Sequence, residues 1–219
     1  MSGVDNSHPA GAPQPSPWHR RSRRVAYENA WITVWHDEVT RPDGEPGIYG
    51  VVHFRSIAVG IVAVDGDDSV VLVGQHRYTL DGYSWEIPEG GVPFDEDPLD
   101  GARRELREET GIDAADWREV GRFHLSNSIS DEAAVAYVAT GLTAGTPSPD
   151  GTEALVVRRV PFDEALAMTL DGRITDALSV LALQRVGLTR LGVADVNAAT
   201  TIDATSPRAT SGGGARSDD

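Results

Sequence analysis

The sequence predicts an α/β or α+β sandwich around a mixed β-sheet, preceded by antiparallel hairpins. Three observations carry that prediction. Apolar and alternating runs of strand length recur from about Val25 onward, helix start and stop signals bracket residues 98–110, and two further helical stretches follow the last strand. Strands and helices do not alternate as regular βαβ units, so a purely parallel sheet is not expected. The length, 219 residues, suits one well-buried domain and is short for two.

From about Val25 to Phe54 the pattern alternates. "WITVWHDEVT" and "IYGVVHF" flank the turn-rich "RPDGEPG", which predicts a hairpin. "SIAVGIVAV" and "VVLVGQHRY" around "DGDDS" predict a second, more deeply buried hairpin. Its Asp-Gly is turn chemistry, because the later ligand spacing of a calcium loop is missing. "WREVGRFHLS" and "EAAVAYVATGL" read as strands, followed by the loop "TAGTPSPDGTE", the strand "ALVVRRV" and two helices. In the second helix Ile174, Leu178, Leu181 and Leu188 stand at helical spacing, which predicts a core face.

Both ends hold too few large apolar residues to offset the entropy of ordering them. The expected organisation is a disordered tail over 1–24, one folded domain over 25–191 and a disordered tail over 192–219. Arg20, Arg21, Arg23 and Arg24 read as part of a solvated tail and not as an export signal, because Glu28 and Asn29 interrupt the stretch behind them. No window approaches the ~18 apolar residues of a membrane span. A cytoplasmic protein without a membrane partner is expected.

There are 34 acidic residues against 19 basic ones, all arginine, and the formal net charge is -15. Such a charge argues against broad phosphate-backbone binding, which needs a basic face, so nucleic acid is not an expected partner. It has no cysteine, which excludes a disulfide framework, a thiol nucleophile and a cysteine-ligated zinc site. Any metal must sit on oxygen or imidazole.

The chemistry concentrates in "EGGVPFDEDPLDGARRELREETGI", Glu89 to Ile112. Asp97 before Pro98 is a helix start and Gly111 a stop, so a helix is expected from about Pro98 to Thr110. At ~100° per residue, Glu108 and Glu109 lie on either side of Glu105, one turn on, beside an apolar stripe of Leu99, Ala102 and Leu106. Two readings of the three glutamates stand together. Like-charge pairs cost only ~0.2–0.5 kcal/mol each and Arg104 can pair with Glu108, so a solvated acidic face is tolerable. The other reading is a divalent-cation site, for which oxygen-only ligands suit magnesium, manganese or calcium.

The stretch resembles the signature of the Nudix hydrolases, at Gly90, Glu96, Arg104, Glu105, Leu106, Glu108, Glu109, Gly111 and Ile112. All nine specified positions match, a coincidence on the order of one in a billion per window at ordinary residue frequencies. The resemblance implies a Nudix-type α/β/α sandwich. It also implies a loop-helix-loop that holds divalent cations, usually Mg2+ with Mn2+ as an alternative, against the diphosphate of a nucleoside diphosphate linked to a moiety X. By the same resemblance Glu105 and Glu109 are direct metal ligands, Glu108 is a ligand or close support with a catalytic part, the carbonyl of Glu89 is a backbone ligand, and Arg104 orients the glutamates.

Outside the signature, "VVLVGQHRYTLDGYSWEIPEGG" is similar to the ADP-ribose and nucleotide-sugar pyrophosphatase branch. This makes Arg77 a candidate substrate contact, with Trp85 and Glu86 behind it. "SNSISDE" resembles a segment of the ADP-ribose group and retains Asp131 and Glu132, with Asn127 where that group has proline. The departure widens the expected substrates to nucleotide sugars such as GDP-mannose. Relatives often take their general base from the loop before a late strand, where Glu153 is the only glutamate here. His36, His53 and His124 read as structural. The resemblance also implies a homodimer. The alternative expectation is a nucleotide-sugar sensor that binds without cutting.

Overall fold

The computed structural model describes residues 15–145 and 155–193, and the chain forms two compact units divided after His53. In the first, β1 (His19–Glu28), β2 (Ile32–Thr40) and β3 (Pro46–Phe54) make a three-stranded sheet in that order. The expected hairpin is present. Arg41 and Glu45 close its turn through a 2.9 Å backbone hydrogen bond, and Gly44 takes φ 87° there, a conformation that glycine adopts without steric cost.

The expected tail over 1–24 ends early, because His19–Arg24 form the first part of β1 and pair with β2. Arg23 explains why an arginine-rich stretch can be a strand. It grips the buried Asp37 with two hydrogen bonds of 2.6 and 2.7 Å and lies 3.8 Å over the Trp35 ring. His53 stacks on the same tryptophan at 4.4 Å, a structural use of that histidine. Val25, Tyr27, Trp31 and Ile48 are exposed.

The second unit contains β4 (Ser56–Ala63), β5 (Ser69–Arg77), β6 (Gly82–Glu86), β7 (Glu89–Pro93), α1 (Pro98–Thr110), β8 (Ile112–His124), β9 (Ala133–Ala144), β10 (Val156–Pro161), α2 (Phe162–Asp171) and α3 (Ala177–Arg190). One sheet has the order β7-β4-β9-β8 and the other β10-β5-β6. β4 and β9 run parallel while the other pairs of the four-stranded sheet are antiparallel, so that sheet is mixed as expected. Period-2 alternation then sorts the core into two faces. Ile57, Val59, Ile61 and Ala63 of β4 pack with Ala102 and Leu106 of α1, whereas Val62 packs with Leu178, Ala182 and Leu183 of α3. The result is the α/β/α sandwich.

Three expectations differ in detail. β4 and β5 are not a hairpin: only an isolated bridge, Val64 to Val70, joins them across the "DGDDS" turn. Both edges of β4 are already occupied, by β7 and β9, so β5 pairs with β6 and β10 instead. β8 starts at Ile112 and not near Trp117, because Gly111 turns the chain out of α1 straight into the strand. The last helix begins at Ala177 and not at Ile174, because Asp176 caps it; Ile174, just before α3, and Leu178 are buried as expected but Leu181 and Leu188 are exposed, and the buried face uses the small residues Ser179, Ala182 and Gly187 beside Leu183 and Val186. Small residues let the helix backbone approach the sheet, a signal that counting large apolar residues misses.

Candidate active site

The helix that carries the glutamates is built as its sequence dictates. The Asp97 carboxylate accepts from the N–H of Leu99 at 2.9 Å, Pro98 opens the first turn, and Gly111 ends the helix in the left-handed region at φ 67°. Gly101 faces β7 so closely that an added Cβ would lie 2.7 Å from Val92 Cγ1. Ala102 and Leu106 are fully buried on the same side. The apolar stripe thus fixes the rotation of α1, and the carboxylates emerge beside it.

Arg104 gathers the first group. Its Nη1 donates to Glu105 Oε1 at 2.7 Å and to Glu108 Oε2 at 3.0 Å, and its Nε and Nη2 donate to Glu96 at 3.4 and 3.3 Å. Gly90 receives the Glu105 carboxylate from the other side. A Cβ at residue 90 would stand 2.6 Å from Glu105 Oε1 and closer still to its Cδ, so only glycine leaves room for that side chain.

Arg77 gathers the second group, at the end of β5. Its Nε donates to both Glu86 oxygens, at 2.9 and 3.1 Å, and its Nη2 donates to Glu86 Oε2 and, at 2.8 Å, to Glu89 Oε1. Glu86 is 2% exposed. Glu89 Oε2 is buried and has no hydrogen-bond partner. Burial pushes the Glu89 carboxyl well above the usual carboxylate range, and the nearby charges of Asp176, Glu86 and Glu109 add to that shift against the single opposing charge of Arg77. The two groups meet where the N–H of Glu89 donates to Glu109 Oε2 at 3.0 Å; Glu109 is itself buried.

The remaining expected residues are distributed around this centre. Trp85 does not join Glu86, because successive strand residues point to opposite faces. Its ring packs against the core on the α3 side, edge to face with Tyr83 at 5.6 Å, with Arg158 5.9 Å above it. Asp131 accepts from the N–H of Phe54 at 3.1 Å. Glu132 is half-buried, and burial, then the charge of Asp176, raises its pKa. Glu153 lies outside the described residues. Asp176 itself was not singled out by sequence reasoning. It caps α3 by accepting from the N–H of Ser179 at 2.7 Å, and the cap pattern "TDALS" was the available signal.

A family model, the NUDIX domain, matches residues 54–180. The chain belongs to the Nudix family. A second model, the nucleoside diphosphate sugar hydrolase N-terminal domain, matches residues 18–52, the segment that forms the first unit. The Nudix chain is 32% identical over 177 residues to an ADP-ribose pyrophosphatase of Mycobacterium tuberculosis, covering 79% of this chain and 84% of that protein. It is 30% identical over 172 residues to a CMP-5'-(N-acetyl-N-hydroxy-3-aminopropyl)phosphonate hydrolase of Streptomyces rubellomurinus, covering 78% and 83%. A crystal structure of an ADP compounds hydrolase superposes with a TM-score of 0.73 at 22% identity, over 84% of this chain and all of that one, a likeness of fold.

Nudix enzymes use divalent metal, and the donor types here fit one. Glu105, Glu108, Glu109 and the Glu89 carbonyl are all oxygen donors, the set that hard divalent cations prefer, and Gly90 keeps space beside the Glu105 carboxylate. Their side chains do not converge on a single point: among the described residues no three carboxylates or imidazoles are grouped to hold an ion. Arg104 holds two of the glutamates and the N–H of Glu89 holds the third.

Proposed function

We propose that this Nudix hydrolase splits the diphosphate of ADP-ribose or a nucleotide sugar, in the presence of Mg2+ or Mn2+, into a nucleoside monophosphate and a sugar phosphate. The observation that carries the reading is the seating of Glu105 in the space left by Gly90, beside Glu108 and Glu109 on one rigid helix. Helix-borne carboxylates hold their geometry better than carboxylates on a loop. The name of the ADP-ribose pyrophosphatase, and the N-terminal model for nucleoside diphosphate sugar hydrolases, support a nucleoside diphosphate derivative as substrate, and the other relative's name supports a nucleotide substrate more broadly.

Glu105, Glu109 and the Glu89 carbonyl would hold the cation, with Glu108 at its edge. The cation supplies charge neutralisation on the diphosphate and a more electrophilic phosphorus. Arg104 orients Glu105 and Glu108 and offsets their mutual repulsion. Arg77, a third exposed, offers its outer edge to substrate, and Glu86 holds it there from behind. Glu132 and Asp131 stand as contacts for the X moiety. Trp85, on the other face of its strand, acts by packing under Arg77's sheet. Glu153 is proposed as the base that takes the proton from the attacking water.

The same proposal makes the protein a cytoplasmic homodimer, supported by the exposed Val25, Tyr27, Trp31 and Ile48 of the first unit. No helix among the described residues is long and apolar enough to cross a membrane.

The test is a panel of ADP-ribose, GDP-mannose, ADP-glucose and UDP-glucose, each with Mg2+ and with chelator, with monophosphate products detected by a coupled phosphatase. Cation-dependent cleavage of at least one member is expected. No cleavage, together with a rise in melting temperature on adding a panel member, would overturn the hydrolase in favour of a sensor.

A further inference from the structure

Between Glu86 and Glu89 the chain changes sheets in two residues. Glu86 pairs with Val73 in the β10-β5-β6 sheet, and Glu89 pairs with Gly60 in the mixed sheet. Ile87 and Pro88 make the crossing, and it is this crossing that brings Glu86 and Glu89 onto the same arginine. A two-residue crossover leaves peptide groups outside either ladder, and buried ones need partners.

Both helical layers and strand β4 supply them. The N–H of Ile87, a fully buried residue, donates to Ser179 Oγ at 3.0 Å, a contact across 92 residues of sequence. The Pro88 carbonyl accepts from the N–H of Ile61 at 2.8 Å, and the N–H of Glu89 donates to Glu109 Oε2. Ser179 is itself held, with no exposed surface, by the Asp176 cap on its own N–H. Gly60 lets α3 come this near: a Cβ there would lie 2.9 Å from both Ile87 Cδ1 and Leu178 Cδ2. The crossover is therefore gripped by α1 through Glu109 and by α3 through Ser179.

We propose that Ser179 is a positioning residue of the active site, which fixes the Ile87–Glu89 crossover and so the direction of the Glu89 carbonyl and the pairing of Arg77. The inference rests on the metal-site reading above. The Ser179 hydroxyl is the acceptor that the buried Ile87 N–H uses, and serine is small enough to fit under a helix packed against Gly60. Groups that orient ligands from behind typically change metal affinity or activity by about 10–100-fold when removed.

The experiment measures Mn2+ binding without substrate, by electron paramagnetic resonance of free ion, alongside kcat, KM and melting temperature. Wild type is compared with Ser179→Ala, Ser179→Thr and Ile174→Val, the last a core change in the same layer that leaves the Ile87 bond alone. Ser179→Ala is expected to weaken Mn2+ about ten-fold and to lower kcat more than it raises KM. Ser179→Thr, which keeps the acceptor, should recover most of the affinity, and Ile174→Val should lower the melting temperature with affinity unchanged. Equal loss of stability in Ser179→Ala and Ile174→Val, with Mn2+ affinity at the wild-type value in both, would overturn the proposal while leaving the hydrolase standing. A wild type that neither binds Mn2+ nor cleaves any panel member would remove both.

Discussion

Arg104 and Arg77 each collect carboxylates at one end of the same site, but they do so by different means. Arg104 draws on residues of its own helix, Glu105 and Glu108, plus Glu96 just before it, and these groups are partly in solvent. Arg77 draws on Glu86 and Glu89, which belong to different sheets, and Glu86 is nearly sealed from water. Local pairs near solvent are worth little to stability because water competes for both partners. A sealed pair is costly to break, since removing one member strands the other's charge in a medium that cannot solvate it. The two arginines thus divide the work: one arranges the carboxylates proposed above to take a cation, and the other locks the corner beside them.

The contrast is broken most severely at Arg77. Arg77→Ala leaves Glu86 buried without its partner and is expected to destabilise the fold by about 3 kcal/mol, the lower end of the range for a broken buried pair because Arg77 is a third exposed. Arg104→Ala is expected to cost no more than about 1 kcal/mol. Urea unfolding of both variants checks the pair, and equal losses would mean that the two clusters are not distinct in kind.

Next in size is the effect on activity of Glu109→Gln, which keeps an acceptor for the N–H of Glu89 but removes the charge offered to a cation. A loss of more than about 100-fold in kcat/KM at saturating Mg2+ is expected, beyond the range typical of groups that only orient ligands. Full activity would refute the metal role of the cluster. Gly90→Ala is expected to be milder, about 10–100-fold, because its Cβ displaces Glu105 without removing it. Circular dichroism should show the fold intact.

The smallest effect concerns Glu89 in the presence of chelator. Its carboxyl titrates higher in the folded chain than its ordinary 4.5, first because of burial. The folded state therefore holds its proton more tightly than the unfolded state does, so stability is full below pH 4.5 and is lost as pH rises through the folded value. Glu89→Gln should accordingly stabilise the metal-free protein at neutral pH, with the gain vanishing in acid. Melting temperatures of wild type and variant across that range check it, and a gain that grows in acid would reverse the assignment.

The Arg104 contacts to Glu105 and Glu108 were legible in the sequence because they lie within one helical turn, whereas its reach to Glu96, off the helix, was not. A cap at Asp97, a stop at Gly111 and 3.6-residue spacing place Glu105, Glu108 and Glu109 with no knowledge of the rest of the chain. Gly90 was legible as a signature position, although its reason, the Glu105 carboxylate lying where a Cβ would be, needed the packed structure. The class of fold was equally open to reading, since strand-length apolar runs and three helices without βαβ repetition leave few architectures.

What tertiary structure alone decided was long-range pairing. Alternation says that β4 and β5 are buried strands but not that β4 has both edges occupied, so adjacency in sequence predicts one hairpin where the two strands fall into two sheets. The same limit hid Arg77's grip on two sheets and the reach of Ser179 to Ile87. The separation of Trp85 from Glu86 differs in kind: strand alternation sends neighbours to opposite faces, and the packed structure decided only which face meets the core. Periodicity and capping act within a few residues of the backbone and are written there, whereas an edge, a face or a buried partner exists only after distant segments have competed for it.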